Sequence, residues 1–150
     1  MSYEKKLQEL GLKLPDPPKP AGSYRPVTIQ GSLAFLSGQV SKGEGKVISG
    51  KVGKDLDLAG GQQAARAAAL NVISLIRGEI GFDRFARLLR VTGFVQCDPS
   101  FSDIHLVMNG ASDLFVEVFG PNGVHARSAV GMASLPLNAA VELEVTVALS

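Results

Sequence analysis

AVELEVTVAL, residues 140–149, alternates without a break: Val141, Leu143, Val145, Val147 and Leu149 fall on one side, Glu142, Glu144, Thr146 and Ala148 on the other. Successive side chains of a strand point to opposite faces, so this period of two marks a strand with one face in a core. Working back along the chain, Ala126–Ser134 alternates as well, and Leu135-Pro136-Leu137-Asn138 supplies the turn between the two strands. Upstream the period changes. Within Asp103–Phe119, Val107, Ala111, Leu114, Phe115 and Val118 keep helical spacing until Gly120-Pro121 stops the helix. Arg87–Cys97 reads as a strand with Leu89, Val91 and Val95 opposed to Arg90, Thr92 and Gln96, and Asp98-Pro99-Ser100 turns the chain. Leu58–Ile80 is the strongest helix: Ala65, Ala69, Val72, Ile73, Ile76 and Ile80 form a buried stripe, Asp57 suits the N-cap, and Gly78 or Gly81 the end.

The N-terminal part completes the layout. Residues 25–30 and 33–39 read as a β-hairpin about Gly31-Ser32, and 41–53 as a glycine-rich loop with a short strand near Lys46–Ser49. Tyr3, Leu7 and Leu10 make a short helix closed by Gly11, and Pro15, Pro17, Pro18 and Pro20 an extended connector that ties it to the outside of the fold. The order ββαβαββ predicts an α+β single domain, a mixed sheet with two helices on one face. Residues 1–20 then form the helix and connector, and 21–150 the domain. The other face needs a cover, and the small residues Ala129, Gly131 and Ala133 suit an interface there, so an oligomer is expected.

Composition narrows the function. The chain has 150 residues, with 15 Lys plus Arg against 14 Asp plus Glu for a net charge of +1. Such a length gives a domain that buries ~70% of its unfolded surface. The charge balance argues against nucleic acid as the main partner, because phosphate binding needs a dense basic surface. No tryptophan and only two tyrosines offer no base-stacking platform. Cys97 is the single cysteine, which excludes an intrachain disulfide and a thiolate cluster and suits a reducing compartment. No signal peptide, transmembrane helix or membrane partner is expected, and the location read from this is cytoplasmic.

Most single motifs have a plain explanation. Gly45-x4-Gly50-Lys51 lacks the Ser or Thr of a P-loop, since residue 52 is Val, and reads as a flexible loop. His105 and His125 have no acidic or cysteine partner at ligand spacing, so no metal is expected. Cys97 lacks a neighbouring cation to activate it and reads as a packed thiol. No G-x-S-x-G elbow occurs. Arg127 and Glu142, near the starts of the last two strands, are ordinary edge charges on spacing alone. Chemically they also form a set: a guanidinium can grip a carboxylate with two parallel hydrogen bonds, and a carboxylate can orient a water and accept its proton.

The stretch 126–146, ARSAVGMASLPLNAAVELEVT, resembles the C-terminal signature of the RidA/YjgF family of enamine/imine deaminases, also labelled the endoribonuclease L-PSP family. Arg127, Leu135-Pro136 and Glu142 keep its spacing, and Gly22-Ser23-Tyr24, Gly31 and Ser37-Gly38-Gln39 look like its N-terminal run. The resemblance covers about residues 20–149, and the extra helix suits a longer branch. It implies a chorismate-mutase-like fold, a homotrimer with clefts between subunits, and hydrolysis of 2-enamino or 2-imino acids to 2-keto acids and ammonia without cofactor or metal. Carried onto this chain, Arg127 anchors the substrate carboxylate and Glu142 holds the water. Tyr24 lines the cleft, and Ser37 and Gly38 form its backbone wall. Two positions depart from the pattern: Ser112 stands where active members often have a cleft asparagine, and Ala129 where many have a cysteine that acts through its backbone N–H. A non-catalytic trimer that binds a carboxylate metabolite, and an endoribonuclease, are the competing expectations.

Overall fold

A computed structural model describes residues 2–17 and 19–150. Pro18 of the expected connector, and Met1 at the start of the expected N-terminal segment, lie outside the described residues. The elements are α1 (Tyr3–Glu9), β1 (Val27–Gln30), β2 (Leu33–Val40), β3 (Lys42–Gly43), β4 (Lys46–Val47), α2 (Leu58–Leu75), β5 (Phe85–Gln96), α3 (Ile104–Phe119), β6 (Ala126–Met132) and β7 (Val141–Leu149). Five strands form one sheet in the order β1-β2-β7-β5-β6, and β3 with β4 makes a separate two-stranded ribbon. Only β5 and β6 run parallel, joined by α3 as crossover; the other neighbours are antiparallel. The fold is therefore the expected mixed α+β domain.

Both long helices pack on the same face of the sheet. α2 begins at Asp57, whose Oδ1 accepts from Gly60 N at 2.7 Å, as an N-cap should. Its alanine-rich stripe is fully buried, which lets its backbone lie close to sheet and neighbour helix. The helix then widens into a π-turn at Ile76–Ile80 and ends at Gly81, φ +90°. α3 buries Val107, Ala111, Leu114, Phe115 and Val118, as the spacing predicts, together with Met108 and Phe119. α1 docks at the far end, where Tyr3 meets Phe82, Phe85 and Phe119 at 5.0–5.8 Å between ring centroids, edge to face. The connector is fastened by Ser74 Oγ, which donates to the Pro15 carbonyl at 2.6 Å.

Three expectations need correction. In β5 the register shifts between Leu88 and Arg90, so Leu88 enters the core in place of Leu89; a bulge moves the alternation by one residue. Gln96, expected to face outward, is buried; its Nε2 donates to Gly50 O and Asn138 Oδ1, and its Oε1 accepts from Leu135 N. It thereby fixes the Leu135-Pro136 turn, in which Leu137 and Asn138 adopt φ +61° and +55°. Lastly, Ala129 and Gly131 do not belong to the open sheet face. They share the registers of Gly93 and Val95 and point toward α3, where a side chain on Gly131 would meet Ile104 and Cys97; Ala133 lies beyond the end of β6. The open face carries Leu33, Phe35, Phe94, Val130 and Met132 instead, interspersed with Arg90, Glu142 and Glu144.

Candidate functional site

Arg127 lies on the edge strand β6, on the side facing α3. Its Nη1 donates to Asn109 Oδ1 at 3.0 Å and Ser112 Oγ at 3.1 Å, and its Nη2 to the His105 carbonyl at 3.1 Å. Residues 105, 109 and 112 recur at helical spacing, so one stripe of α3 supplies all three acceptors. A guanidinium has five N–H donors. Three are used, and Nε–H and one Nη2–H have no partner among the described residues. All three acceptors are neutral, and no carboxylate lies within ion-pair distance among the described residues. The charge is half-buried, oriented and uncompensated, which is the arrangement that receives an anion.

Behind Arg127 the polar contacts continue inward. Ser112 Oγ lies 3.0 Å from His125 Nε2, and His125 Nδ1 2.7 Å from the Gly123 carbonyl. A carbonyl only accepts, so Nδ1 carries the proton. Burial, and then the Arg127 charge, hold the His125 pKa below its ordinary value against the opposing Gly123 bond. The ring is therefore neutral, and its bare Nε2 accepts from Ser112.

Glu142 lies on β7 beside Gly38, in the Ser37–Gly38 irregularity of β2. A methyl on Gly38 would collide with Glu142 Oε1, so glycine there makes room for the carboxylate. Partial burial raises the Glu142 pKa, and the Glu144 charge raises it further. Ser37 Oγ donates to the Arg25 carbonyl at 2.6 Å and braces the loop before β1. Tyr24, on that loop, is 54% exposed.

The expected residues thus form two groups. Val91 pairs with both Arg127 and Val145, whereas Phe94 pairs with Val130 and Glu142. Arg127, with Ala129, accordingly faces the helices, and Glu142, with Gly38, the open side. Arg127 and Ser112 are brought together; Arg127 and Glu142 are not, within one chain. Asn109 and His125 were missed as contributors. The stripe His105, Asn109, Ser112 along one side of α3 was the available signal for Asn109. Cys97 is buried, and that burial raises its pKa, as suits an inert thiol. A cavity of about 390 Å³ lies beside it, lined by Phe101, Ile104, Gly131 and Met132. Among the described residues no group of His, Cys, Asp and Glu could hold a metal, and no helix is long and apolar enough to cross a membrane.

Comparisons with known proteins agree over almost the full length. A family profile described as "YjgF/chorismate mutase-like, putative endoribonuclease" matches residues 4–148. Protein TCP17 of Trypanosoma cruzi is 44% identical over 147 residues, 96% of this chain and 92% of that protein. The crystal structure of Atu1372 from Agrobacterium tumefaciens is 42% identical with a TM-score of 0.90, covering 99% of this chain and 93% of that one. A Shewanella oneidensis MR-1 structure is 31% identical with a TM-score of 0.95, covering 99% and 100%. Matched by profile, by sequence and by fold, the chain belongs to the YjgF/chorismate mutase-like family.

Proposed function

We propose that the protein hydrolyses reactive 2-enamino and 2-imino acids, such as 2-aminoacrylate and 2-iminobutanoate, to 2-keto acids and ammonia. The reaction takes place without a cofactor, in clefts between the subunits of a cytoplasmic homotrimer. The observation that carries this reading is the Arg127 guanidinium, oriented by three neutral acceptors and without a counter-ion among the described residues. The substrate carboxylate binds there. Glu142 of a neighbouring copy takes a proton from water as its oxygen adds to C2 of the protonated imine. The same proton passes to the nitrogen, the carboxylate takes the hydroxyl proton as the C–N bond breaks, and ammonia leaves with that proton as ammonium, giving the ketone and restoring the carboxylate. A carboxylate whose pKa is raised toward neutrality is a stronger base for that step. Tyr24 and the Ser37–Gly38 backbone line the cleft, and the Ala129 N–H completes the carboxylate site.

A carboxylate-binding protein without turnover is the second reading, favoured by the separation of Arg127 from Glu142 within one chain. Cleavage of RNA has less support: the net charge is +1, His125 is committed to Gly123 and Ser112, and His105 offers Arg127 only its backbone carbonyl. The test is formation of keto acid and ammonia from 2-iminobutanoate generated in situ by a dehydratase. Arg127→Ala should lower kcat/KM about 100-fold, the loss expected for a charge-assisted contact, and leave the protein folded. Tight 2-oxobutanoate binding with no acceleration by the wild type would establish the second reading instead.

A further inference from the structure

Arg127 is held by side chains that are themselves held. Ser112 sits in the middle of α3, where a serine ordinarily turns its hydroxyl back to a carbonyl of the preceding turn. Here it donates instead to His125 Nε2, which presents a bare lone pair because Nδ1–H is engaged by Gly123. The imidazole cannot turn away: its ring stands edge-on to Phe115 at 5.8 Å. The loop that carries the Gly123 carbonyl presses so closely on α3 that a side chain at Gly123 would strike the Phe115 backbone. With its hydrogen committed to His125, the Ser112 hydroxyl keeps its lone pairs for Arg127 Nη1. A hydroxyl free to rotate would present that acceptor only part of the time. The groups that face His125 are Ser112 and Phe115 from α3, the Gly123 carbonyl from the turn before β6, and the Arg127 cation from β6.

We propose that His125 is a positioning residue for Arg127: acting through the Ser112 hydroxyl, it fixes the direction in which the guanidinium presents its free donors to a substrate carboxylate. The proposal rests on the reading of Arg127 as the carboxylate anchor. It assigns His125 a part in substrate affinity without contact with substrate. Because the effect is transmitted through one hydroxyl, it must vanish when that hydroxyl is absent.

The experiment is a double-mutant cycle in the full-length protein, with Ser112→Ala, His125→Ala, the pair together, and His125→Gln as the conservative variant. The readouts are 2-oxobutanoate binding by calorimetry, KM and kcat with 2-iminobutanoate, and thermal melting. Each single alanine variant should weaken 2-oxobutanoate binding about three- to tenfold, the range for one neutral hydrogen bond, and raise KM more than it lowers kcat. The double variant should bind no more weakly than Ser112→Ala alone, since coupled groups are non-additive. His125→Gln, whose amide can accept from Ser112, should recover part of the affinity. Unchanged binding in His125→Ala, or a full additional loss when His125→Ala is placed in the Ser112→Ala background, would overturn the proposal. Should His125→Ala not fold, the same comparison is made with His125→Gln with and without Ser112→Ala. Arg127→Ala separates the two levels: if it binds 2-oxobutanoate like the wild type, the anchor reading fails. If it loses binding while the His125 variants keep it, only the positioning role fails.

Discussion

Glu142 combines a raised pKa with tight quarters, and the two make different predictions. A carboxylate penalised by burial and by Glu144 costs stability whenever it is ionised. The protonated form is favoured in the folded state, so its contribution is present below the unfolded value near 4.5 and is lost as pH rises through the higher folded value. Glu142→Gln should therefore melt at a higher temperature than wild type at pH 7, with the difference shrinking on acidification toward pH 4, while deaminase turnover falls sharply. Equal melting at both pH values would show the carboxylate to be well solvated. Gly38→Ala should also lose turnover, because its methyl would displace the Glu142 carboxylate; retained turnover would mean that carboxylate has another productive position. Arg127 and Glu142 stand out in the sequence because they sit in a stretch that resembles a family signature. The polar stripe of α3 points to Asn109, whereas nothing points to His125, because what makes it matter is a contact between α3 and the turn before β6 that no local pattern encodes.

At the level of elements the α2–α3 crossing controls the site from behind. A side chain at Gly110 would run into the Gln62 backbone, and Gln62 Nε2 donates to the Leu106 carbonyl at 3.0 Å across the same crossing. Gly110→Ala gains ~1 kcal/mol of helix propensity, but two backbones must move apart to admit the methyl, and the net is a loss of about 2 kcal/mol. Melting should drop by about 5 °C. Asn109 and Ser112 flank Gly110, so the displaced helix should also weaken 2-oxobutanoate binding; an unchanged melting temperature would show that the crossing has slack. Periodicity made both helices and the strand pairing visible. It misplaced Leu88 and Leu89, since two adjacent leucines satisfy either register and only the bulge decides. It also assigned Ala129 and Gly131 to the wrong face: small residues suit a subunit interface and a closely packed helix equally well, and here α3 occupies the space.

For the whole molecule, the decisive fact is that one sheet separates the proposed anchor from the proposed base. Side chains of β6 and β7 that differ by an odd number of register steps cannot share a face, so no rotamer change unites Arg127 with Glu142 in a single chain. The open face also exposes Phe35 at 45%, Val130 at 40% and Leu33 at 38%, apolar surface on the same side as Glu142 that a second copy would cover. If clefts form between copies, each takes Arg127 from one chain and Glu142 from another, and two impaired variants can repair each other. Arg127→Ala and Glu142→Gln chains, co-expressed in equal amounts and assembled at random, should place an intact pair in about a quarter of the clefts of a closed ring. The mixture should regain a corresponding share of wild-type turnover, although either variant alone has lost nearly all of it. A variant that keeps the subunits apart, such as Phe35→Asp, should lose turnover without losing the hydrogen bonds that orient Arg127. No recovery in a mixture shown by mass spectrometry to contain mixed oligomers would mean that the two residues do not serve one cleft, and Glu142 would lose its place in the reaction.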